Sequence, residues 1–145
     1  MRVEINTIAR GLLISGTRIL VAYCIGSTNT FLPGGNIEPG EKAEDTLIRE
    51  FKEELGITIS VKKYLGVVEQ TFTELSKYHH VINHIFLVDS DNMKEEPESK
   101  EDHLDFFWIE SNDTVKMNLL PSPLQDLIRG FIAGNNEIWW KSDMK

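Results

Sequence analysis

One segment, residues 34–57, constrains this chain more than any other, because a loop rich in glycine and proline runs directly into a strongly patterned helix. The segment is GGNIEPGEKAEDTLIREFKEELGI. Apolar residues recur in its second half at helical spacing, so we predict a helix from about Ala43 to Leu55. Gly56 is the residue type that commonly follows a helix C-terminus. The apolar positions of this predicted helix are Ala43, Leu47, Ile48, Phe51 and Leu55.

Three glutamates of this helix, Glu50, Glu53 and Glu54, fall within an arc of about 100° beside the apolar stripe. A solvated acidic face is one interpretation, since each exposed like-charge pair costs only about 0.2–0.5 kcal/mol. The preceding loop favours another, because Gly34 and Gly35 allow the backbone to approach the acids closely and to present a carbonyl. Three carboxylates and a carbonyl form an all-oxygen site of the kind that selects Mg²⁺ or Mn²⁺. The pattern therefore predicts a divalent-cation site in which the cation offsets the repulsion.

The same segment resembles the signature of the Nudix hydrolase family, Gx5Ex7REUxEExGU, in which U is a bulky apolar residue. It fits at every fixed position. A chance match to seven fixed identities is on the order of one in a billion per starting point. The flanking strands are also similar to the family's arrangement. The matching residues are Gly35, Glu41, Arg49, Glu50, Phe51, Glu53, Glu54, Gly56 and Ile57.

The resemblance implies a fold of the α/β class, a Nudix-type α/β/α sandwich with a mixed β-sheet, formed by residues 1–145 as a single domain. It also implies Mg²⁺-dependent hydrolysis of a pyrophosphate linkage in a nucleoside diphosphate joined to another moiety, X, with Mn²⁺ as a substitute. Pyrophosphate is anionic, so a metal ion is needed to neutralise its oxygens and to make water acidic enough to attack. The expected partner is therefore a small nucleotide.

The resemblance also assigns roles to residues. Arg49 would orient a carboxylate with its planar guanidinium, whereas Glu41 is expected to organise the loop and not to contact substrate. Glu50 is either a metal ligand or the general base, because family members differ in which carboxylate takes the proton. The implied metal ligands are Gly34, through its carbonyl, and Glu50, Glu53 and Glu54; the implied catalytic set is Arg49, Glu50, Glu53 and Glu54.

Family members often add a carboxylate from a later loop. The acidic segment 89–102 offers Glu98, Glu101 and Asp102, and we select Glu101 as a further metal ligand or base by its distance from Trp108. A solvated surface run is the alternative interpretation of these acids.

Two residues outside the helix are predicted to bind substrate. Arg10, on the first predicted strand, can face the cleft and meet a phosphate, although an exposed strand arginine is an equal alternative. Phe31 and Trp108 can stack on a base, and Phe31 is the one that we assign to substrate binding; aromatic residues in strands are more often core. His79, His80 and His84 are expected to take part in ordinary sheet packing.

The rest of the chain predicts mainly strands, rich in β-branched and aromatic residues. Segments VEINTIARGLLIS and RILVAYCI form the first pair, and the segments that begin at ITISV and HHVIN are predicted to pair antiparallel. DFFWIE is a further strand, and SPLQDLIRGFIAG is a second helix.

Composition limits the class of protein. A chain of 145 residues with 41% hydrophobic side chains suits one globular domain. The net charge of −8 argues against binding a nucleic-acid polymer. The N-terminus lacks the apolar core of a signal peptide, and no apolar run approaches the roughly 20 residues that cross a bilayer, so we expect a soluble cytoplasmic protein with no membrane partner. The single cysteine, Cys24, lies in an apolar run and is predicted to be buried.

The sequence does not define the substrate. Relatives that act on ADP-ribose commonly carry a proline about sixteen residues beyond the signature, where this chain has Thr73. A nucleoside triphosphate, an oxidised nucleotide and a nonnucleotide diphosphate all stay open. The competing class is a Nudix-like module that senses a nucleotide without cleaving it. Trp139 and Trp140, near the C-terminus, either cover the core or contribute to a homodimer interface.

Overall fold

The computed structural model describes residues 2–145, which form eight strands, two α-helices and one short 3-10 helix. The predicted helices and the predicted long strands are all present. The strands are β1 (Arg2–Ser15), β2 (Arg18–Cys24), β3 (Thr30–Phe31), β4 (Gly34–Asn36), β5 (Ile59–Glu74), β6 (Lys77–Ser90), β7 (Leu104–Glu110) and β8 (Trp139–Ser142). The helices are α1 (Ala43–Leu55), α2 (Pro123–Ile132) and the 3-10 helix Ser111–Asp113.

The sheet is mixed, with the order β3-β2-β1-β6-β5-β8, and β4 and β7 pair with β1 and β2 respectively. The β1–β6 and β5–β8 pairs are parallel, and β5 and β6 pair antiparallel as predicted. Strand β1 is shared, because its residues up to Leu13 pair with β6 whereas Ile14 and Ser15 pair with β2. This strand therefore holds the two halves of the sheet together.

Each face of the sheet carries one helix. Helix α1 buries Leu47 and Phe51 against a cluster that includes Ala9 of β1. Helix α2 buries Ile128 in a separate cluster that includes Leu12 of the same strand. Odd and even residues of a strand point to opposite faces, so these two clusters lie on opposite sides of the sheet. The arrangement confirms the predicted α/β/α sandwich.

Two short strands were not predicted. Strand β4 lies in the glycine loop and pairs with β1, and β8 pairs in parallel with β5 through Trp139 and Gly66. A Cβ at Gly66 would overlap the Trp139 carbonyl oxygen, so this glycine is what allows β8 to approach. Trp139 is 5% exposed and covers the core, whereas Trp140 is 66% exposed.

Two burial predictions are wrong. Cys24 is exposed, because it is the last residue of β2 and the buried part of that strand ends earlier. Ile48, which we placed in the apolar stripe, is 41% exposed, because the buried apolar side of α1 is formed by Leu47, Phe51 and Leu55. Within residues 2–145, neither helix has the length and apolar character needed to span a membrane.

Candidate active site

The glycine loop brings the backbone against both β1 and α1. A side chain at Gly34 would overlap the Ala9 carbonyl oxygen, so only glycine allows β4 to pair at this point. At Gly35, a Cβ would stand 2.6 Å from Cδ of Glu50. The loop and the acidic side of α1 are therefore in direct contact, as the predicted site requires.

Arg49 of α1 binds Glu41, which lies in the loop before the helix, through two hydrogen bonds. Its Nε donates to Glu41 Oε2 at 2.8 Å, and its Nη2 donates to Glu41 Oε1 at 2.9 Å. Thr46 Oγ1 donates to the same Oε1 at 2.7 Å. The bonds from Arg49 and then Thr46 lower the pKa of Glu41 to about 2, and the bond to Glu41 raises the pKa of Arg49. Glu41 thus organises the loop, which is the role expected for it.

The same guanidinium contacts two of the acids of α1. Its Nη1 donates to Glu50 Oε1 at 2.9 Å and lies 3.4 Å from Glu53 Oε2. The Glu50 side chain is 17% exposed and that of Glu53 is 53% exposed. Glu50 therefore lies inside the site, while Glu53 stands on its outer rim.

Glu54 is the acid that is most strongly perturbed. Burial raises its pKa to about 8, and the neighbouring Glu50 carboxyl and the charge of Glu101 act in the same direction. Glu101 comes near because the Lys100 N–H donates to the Glu54 carbonyl oxygen at 2.7 Å, which ties the acidic loop to the end of α1. The structure thus places Glu101 in electrostatic range of the site.

Arg10 of β1 is half-buried. Its Nε donates to Asn83 Oδ1 at 3.2 Å, its Nη1 donates to the Leu32 carbonyl oxygen at 3.1 Å, and its guanidinium lies 5.3 Å from the centroid of the Phe31 ring. Burial lowers the pKa of Arg10 to about 10, while Glu54 and Glu50 oppose that shift. Arg10 therefore remains charged at neutral pH and interacts electrostatically with Glu54 and Glu50 of α1.

The ring of Phe31 is already covered by the guanidinium of Arg10. The ring packs against the core cluster that α1 covers, and the guanidinium of Arg10 lies over it. Trp108 is in a similar position, with Arg18 at 5.6 Å from its ring centroid. The two predicted stacking residues are thus already in contact with cations of this chain.

Asn83 was missed from the sequence. It is 0% exposed, and besides accepting from Arg10 it donates from Nδ2 to the Val68 carbonyl oxygen at 3.1 Å. Its signal was a single amide at a period-two position between the buried Val81 and Ile85 of β6. The histidines of this strand pack as expected, for example His84 Nδ1 at 2.9 Å from the Tyr64 hydroxyl.

The donor set suits a hard divalent cation. Within residues 2–145, no group of three or more acid, histidine or cysteine side chains is already arranged as a metal cage. However, burial and then the neighbouring Glu50 carboxyl raise the pKa of Glu54, and a cation between the two acids would favour their ionised forms. Carboxylate oxygens are ligands that Mg²⁺ and Mn²⁺ prefer. The residues present therefore fit such an ion.

The fold and this site define a Nudix-type sandwich whose signature helix carries paired acids. The sequence model of the NUDIX domain matches residues 7–131, and the chain belongs to the Nudix hydrolase family. The family prediction made from the residues of the signature is thus confirmed.

The chain is also similar to individual proteins of known name. The chain is 41% identical over 58 residues to an ADP-ribose pyrophosphatase of Methanocaldococcus jannaschii, covering 40% of this chain and 33% of that protein. It is 33% identical over 95 residues to the nucleoside triphosphatase NudI of Escherichia fergusonii, covering 61% and 66%. The chain thus spans about a third to two thirds of the length of these curated relatives. A NUDIX hydrolase from Nitrosomonas europaea has the same fold, with a TM-score of 0.71 at 18% identity over 93% of each chain.

Proposed function

We propose that this protein hydrolyses the pyrophosphate linkage of a nucleoside diphosphate joined to another moiety, with Mg²⁺ as the cofactor and Mn²⁺ as a substitute. One observation carries the proposal. Arg10 interacts electrostatically with Glu54 and Glu50, yet within residues 2–145 it has no acid within the 4.0 Å of an ion pair. A cation that interacts with a pair of acids without pairing with them suits an anionic substrate, which would contact the cation on one side and a metal on the other.

The residues divide the work between binding and chemistry. Arg10 contacts a phosphate oxygen, and Phe31 supports its guanidinium from the side. Bound Mg²⁺ would neutralise phosphate oxygens and increase the acidity of water. Water attacks one phosphorus, the bridging P–O bond breaks, and a carboxylate takes the proton. The ligands proposed for the metal are Gly34, through its carbonyl, and Glu50, Glu53, Glu54 and Glu101.

Glu50 is also the candidate general base. It is fixed by Arg49 on one side and by Gly35 on the other, so its carboxylate has little freedom to move. A fixed carboxylate near the attacking water is what general-base catalysis requires. Arg49 serves as the orienting residue of this arrangement and does not need to contact substrate.

A panel of nucleotides identifies the moiety X and the nucleoside. One relative is named for ADP-ribose and another for nucleoside triphosphates, so both compounds belong in the first panel. The proposal includes a cytoplasmic site of action, because free nucleotides are found there. The homodimer predicted from Trp139 and Trp140 now depends on Trp140 alone, since Trp139 is buried.

A nucleotide panel with Mg²⁺, read by release of phosphate or pyrophosphate products, tests the function. We expect turnover of at least one compound and a loss of about 100-fold or more in Glu54→Gln, the scale typical of a lost ligand or acid–base group. Glu44→Gln is the matched control, because Glu44 is an exposed acid of the same helix.

Two results would contradict the proposal in different ways. Unchanged turnover in Glu54→Gln would show that the assigned site is not the site of reaction. Tight nucleotide binding without turnover in the parent protein would instead identify the protein as a nucleotide sensor.

A further inference from the structure

We propose that Asn83 is a positioning residue that sets substrate affinity by fixing the guanidinium of Arg10. This inference deepens the proposed function and rests on it for the identity of the ligand, an anionic phosphate group. The juxtaposition of a fully buried amide and a half-buried guanidinium is what carries it.

The amide of Asn83 is fixed before it meets Arg10. Its Nδ2 donates to the Val68 carbonyl oxygen at 3.1 Å, which determines that Oδ1 points the other way. Val68 is the residue directly opposite Asn83 in the β5–β6 pair, so the bond joins two neighbours of the sheet. A side chain with 0% exposure and a fixed partner has little rotational freedom. Asn83 is therefore a rigid acceptor.

Only one nitrogen of the Arg10 guanidinium, Nε, bonds to Asn83. Nε donates to Asn83 and Nη1 donates to the Leu32 carbonyl oxygen, while Phe31 lies against the guanidinium. Nη2 has no protein partner, and within residues 2–145 no buried side-chain nitrogen is left without one. Nη2 must therefore reach solvent. The guanidinium is held at Nε and Nη1, and Nη2 is left to donate to a ligand.

This geometry predicts an effect on binding more than on chemistry. An arginine that is already oriented loses less side-chain freedom when it binds a phosphate, so affinity rises. Interactions present equally in the ground state and the transition state change KM and leave kcat unchanged. Asn83 would therefore act on KM through Arg10.

A double-mutant cycle with Asn83→Leu and Arg10→Ala tests the coupling, with the most active nucleotide of the panel as substrate. We expect Asn83→Leu to raise KM about tenfold with kcat within about twofold, the loss of one hydrogen bond to a charged group. In the Arg10→Ala background, Asn83→Leu should change KM by less than about twofold. Equal effects of Asn83→Leu in both backgrounds would overturn the proposal, because a merely structural role would add to the loss of Arg10.

Thr114→Val is the matched control. Thr114 is also 0% exposed, and its hydroxyl donates to the Gln125 carbonyl oxygen at 3.2 Å. The substitution removes one buried side-chain bond to the backbone in another part of the fold. It should lower stability and leave KM unchanged; a similar rise in KM would attribute the Asn83 effect to general loosening.

A second measurement does not depend on turnover or on a substitution of Asn83. In a ¹H–¹⁵N spectrum of the parent protein, the Nε–H signal of Arg10 should exchange slowly with solvent, and Arg10→Lys assigns it by its disappearance. Rapid exchange of that signal would show that Asn83 does not hold Arg10 and would overturn the proposal. A protected signal in a protein that hydrolyses nothing would refute the proposed function while leaving the contact intact. Where Asn83→Leu does not fold, Asn83→Ser replaces it in the cycle.

Discussion

The carboxyl group of Glu50 lies against the α-carbon of Gly35, so that a methyl group on Gly35 would stand 2.6 Å from the carboxyl carbon Cδ. The contact joins the glycine loop to the acid that is proposed as metal ligand or base. It explains in steric terms why a glycine at this position belongs to the site. Because the near atoms belong to the end of a side chain, an added methyl group would displace Glu50 and leave the backbone in place.

Gly35→Ala should therefore reduce activity much more than stability. We expect kcat/KM to fall about tenfold or more, since Glu50 must leave its position beside Arg49, while Tm changes by only a few degrees. Steady-state kinetics and thermal unfolding of the same sample give both quantities.

Gly130→Ala is the control for adding a methyl group. Gly130 lies in α2, where its Cβ would have only Asn135 Cβ at 4.0 Å, and alanine is a better helix former than glycine. Activity should be unchanged and Tm equal or higher. An active Gly35→Ala protein would show that the position of Glu50 does not matter for turnover.

Replacing Arg49 by lysine should destabilise the protein, because lysine cannot form the paired bonds that Arg49 makes with Glu41. We expect Tm to fall by about 3 °C or more, with a loss of activity. Differential scanning calorimetry measures the first effect. Arg18→Lys is the comparison, because Arg18 pairs with an 83% exposed Glu95, and such surface pairs contribute little. Equal Tm shifts in the two variants would contradict the structural role of Arg49.

The raised pKa of Glu54 predicts a pH dependence of stability in the absence of metal. Its pKa is about 8 in the folded protein against an ordinary value of 4.5, so the folded state keeps a proton that the unfolded state loses. The contribution of protonated Glu54 to stability is therefore fully present below about pH 4.5 and is lost as pH rises toward 8. Urea unfolding at pH 5, 6.5 and 8 in EDTA measures the decline.

Two comparisons isolate the carboxyl group. Glu54→Gln cannot ionise, so its stability should fall less over this pH range than that of the parent or of Glu44→Gln. Excess Mg²⁺ should reduce the decline in the parent, because a cation favours the ionised carboxylate. Parallel curves for the parent and Glu54→Gln in EDTA would show that this acid does not carry a raised pKa.

Gly66→Ala should detach β8. Gly66 has a φ of 139°, and its Cβ would overlap the Trp139 carbonyl oxygen, so both the backbone conformation and the space exclude a side chain. We expect a clear loss of stability together with a red shift of tryptophan fluorescence as Trp139 becomes solvated. Gly134→Ala has a similarly positive φ of 108° but nothing within 4 Å, so it separates backbone strain from the clash. An identical response in both variants would remove the clash as the cause.

The sequence allowed the elements with repeated patterns to be predicted. Helix α1 and the β5–β6 pair were predictable because their side chains alternate or recur over many residues. Strands β4 and β8 were not, since they form through glycines that let two backbones meet, and a glycine looks the same in a turn. The exposure of Cys24 depends on where a strand ends, which hydrophobicity alone does not determine.

In the candidate site, too, the local contacts were predictable from the sequence and the distant ones were not. The acids of α1 and Arg49 are near one another in sequence, so helical geometry was enough to bring them together. The contact between Arg10 and Asn83 joins residues 73 positions apart, and it exists only because β1 and β6 are neighbours in the sheet. No local pattern contains that information.

The pairing of β1 with β6 also affects how the chain acquires its structure during synthesis. Arg2 pairs with Lys77 and Leu13 with Val88, so the parallel partner of each residue from Arg2 to Leu13 lies 75 positions later in the chain. On the ribosome, this central strand would emerge long before its parallel neighbour exists. Contacts of such long sequence separation slow folding, so the edge of β1 that pairs with β6 stays open in the nascent chain until β6 has left the exit tunnel.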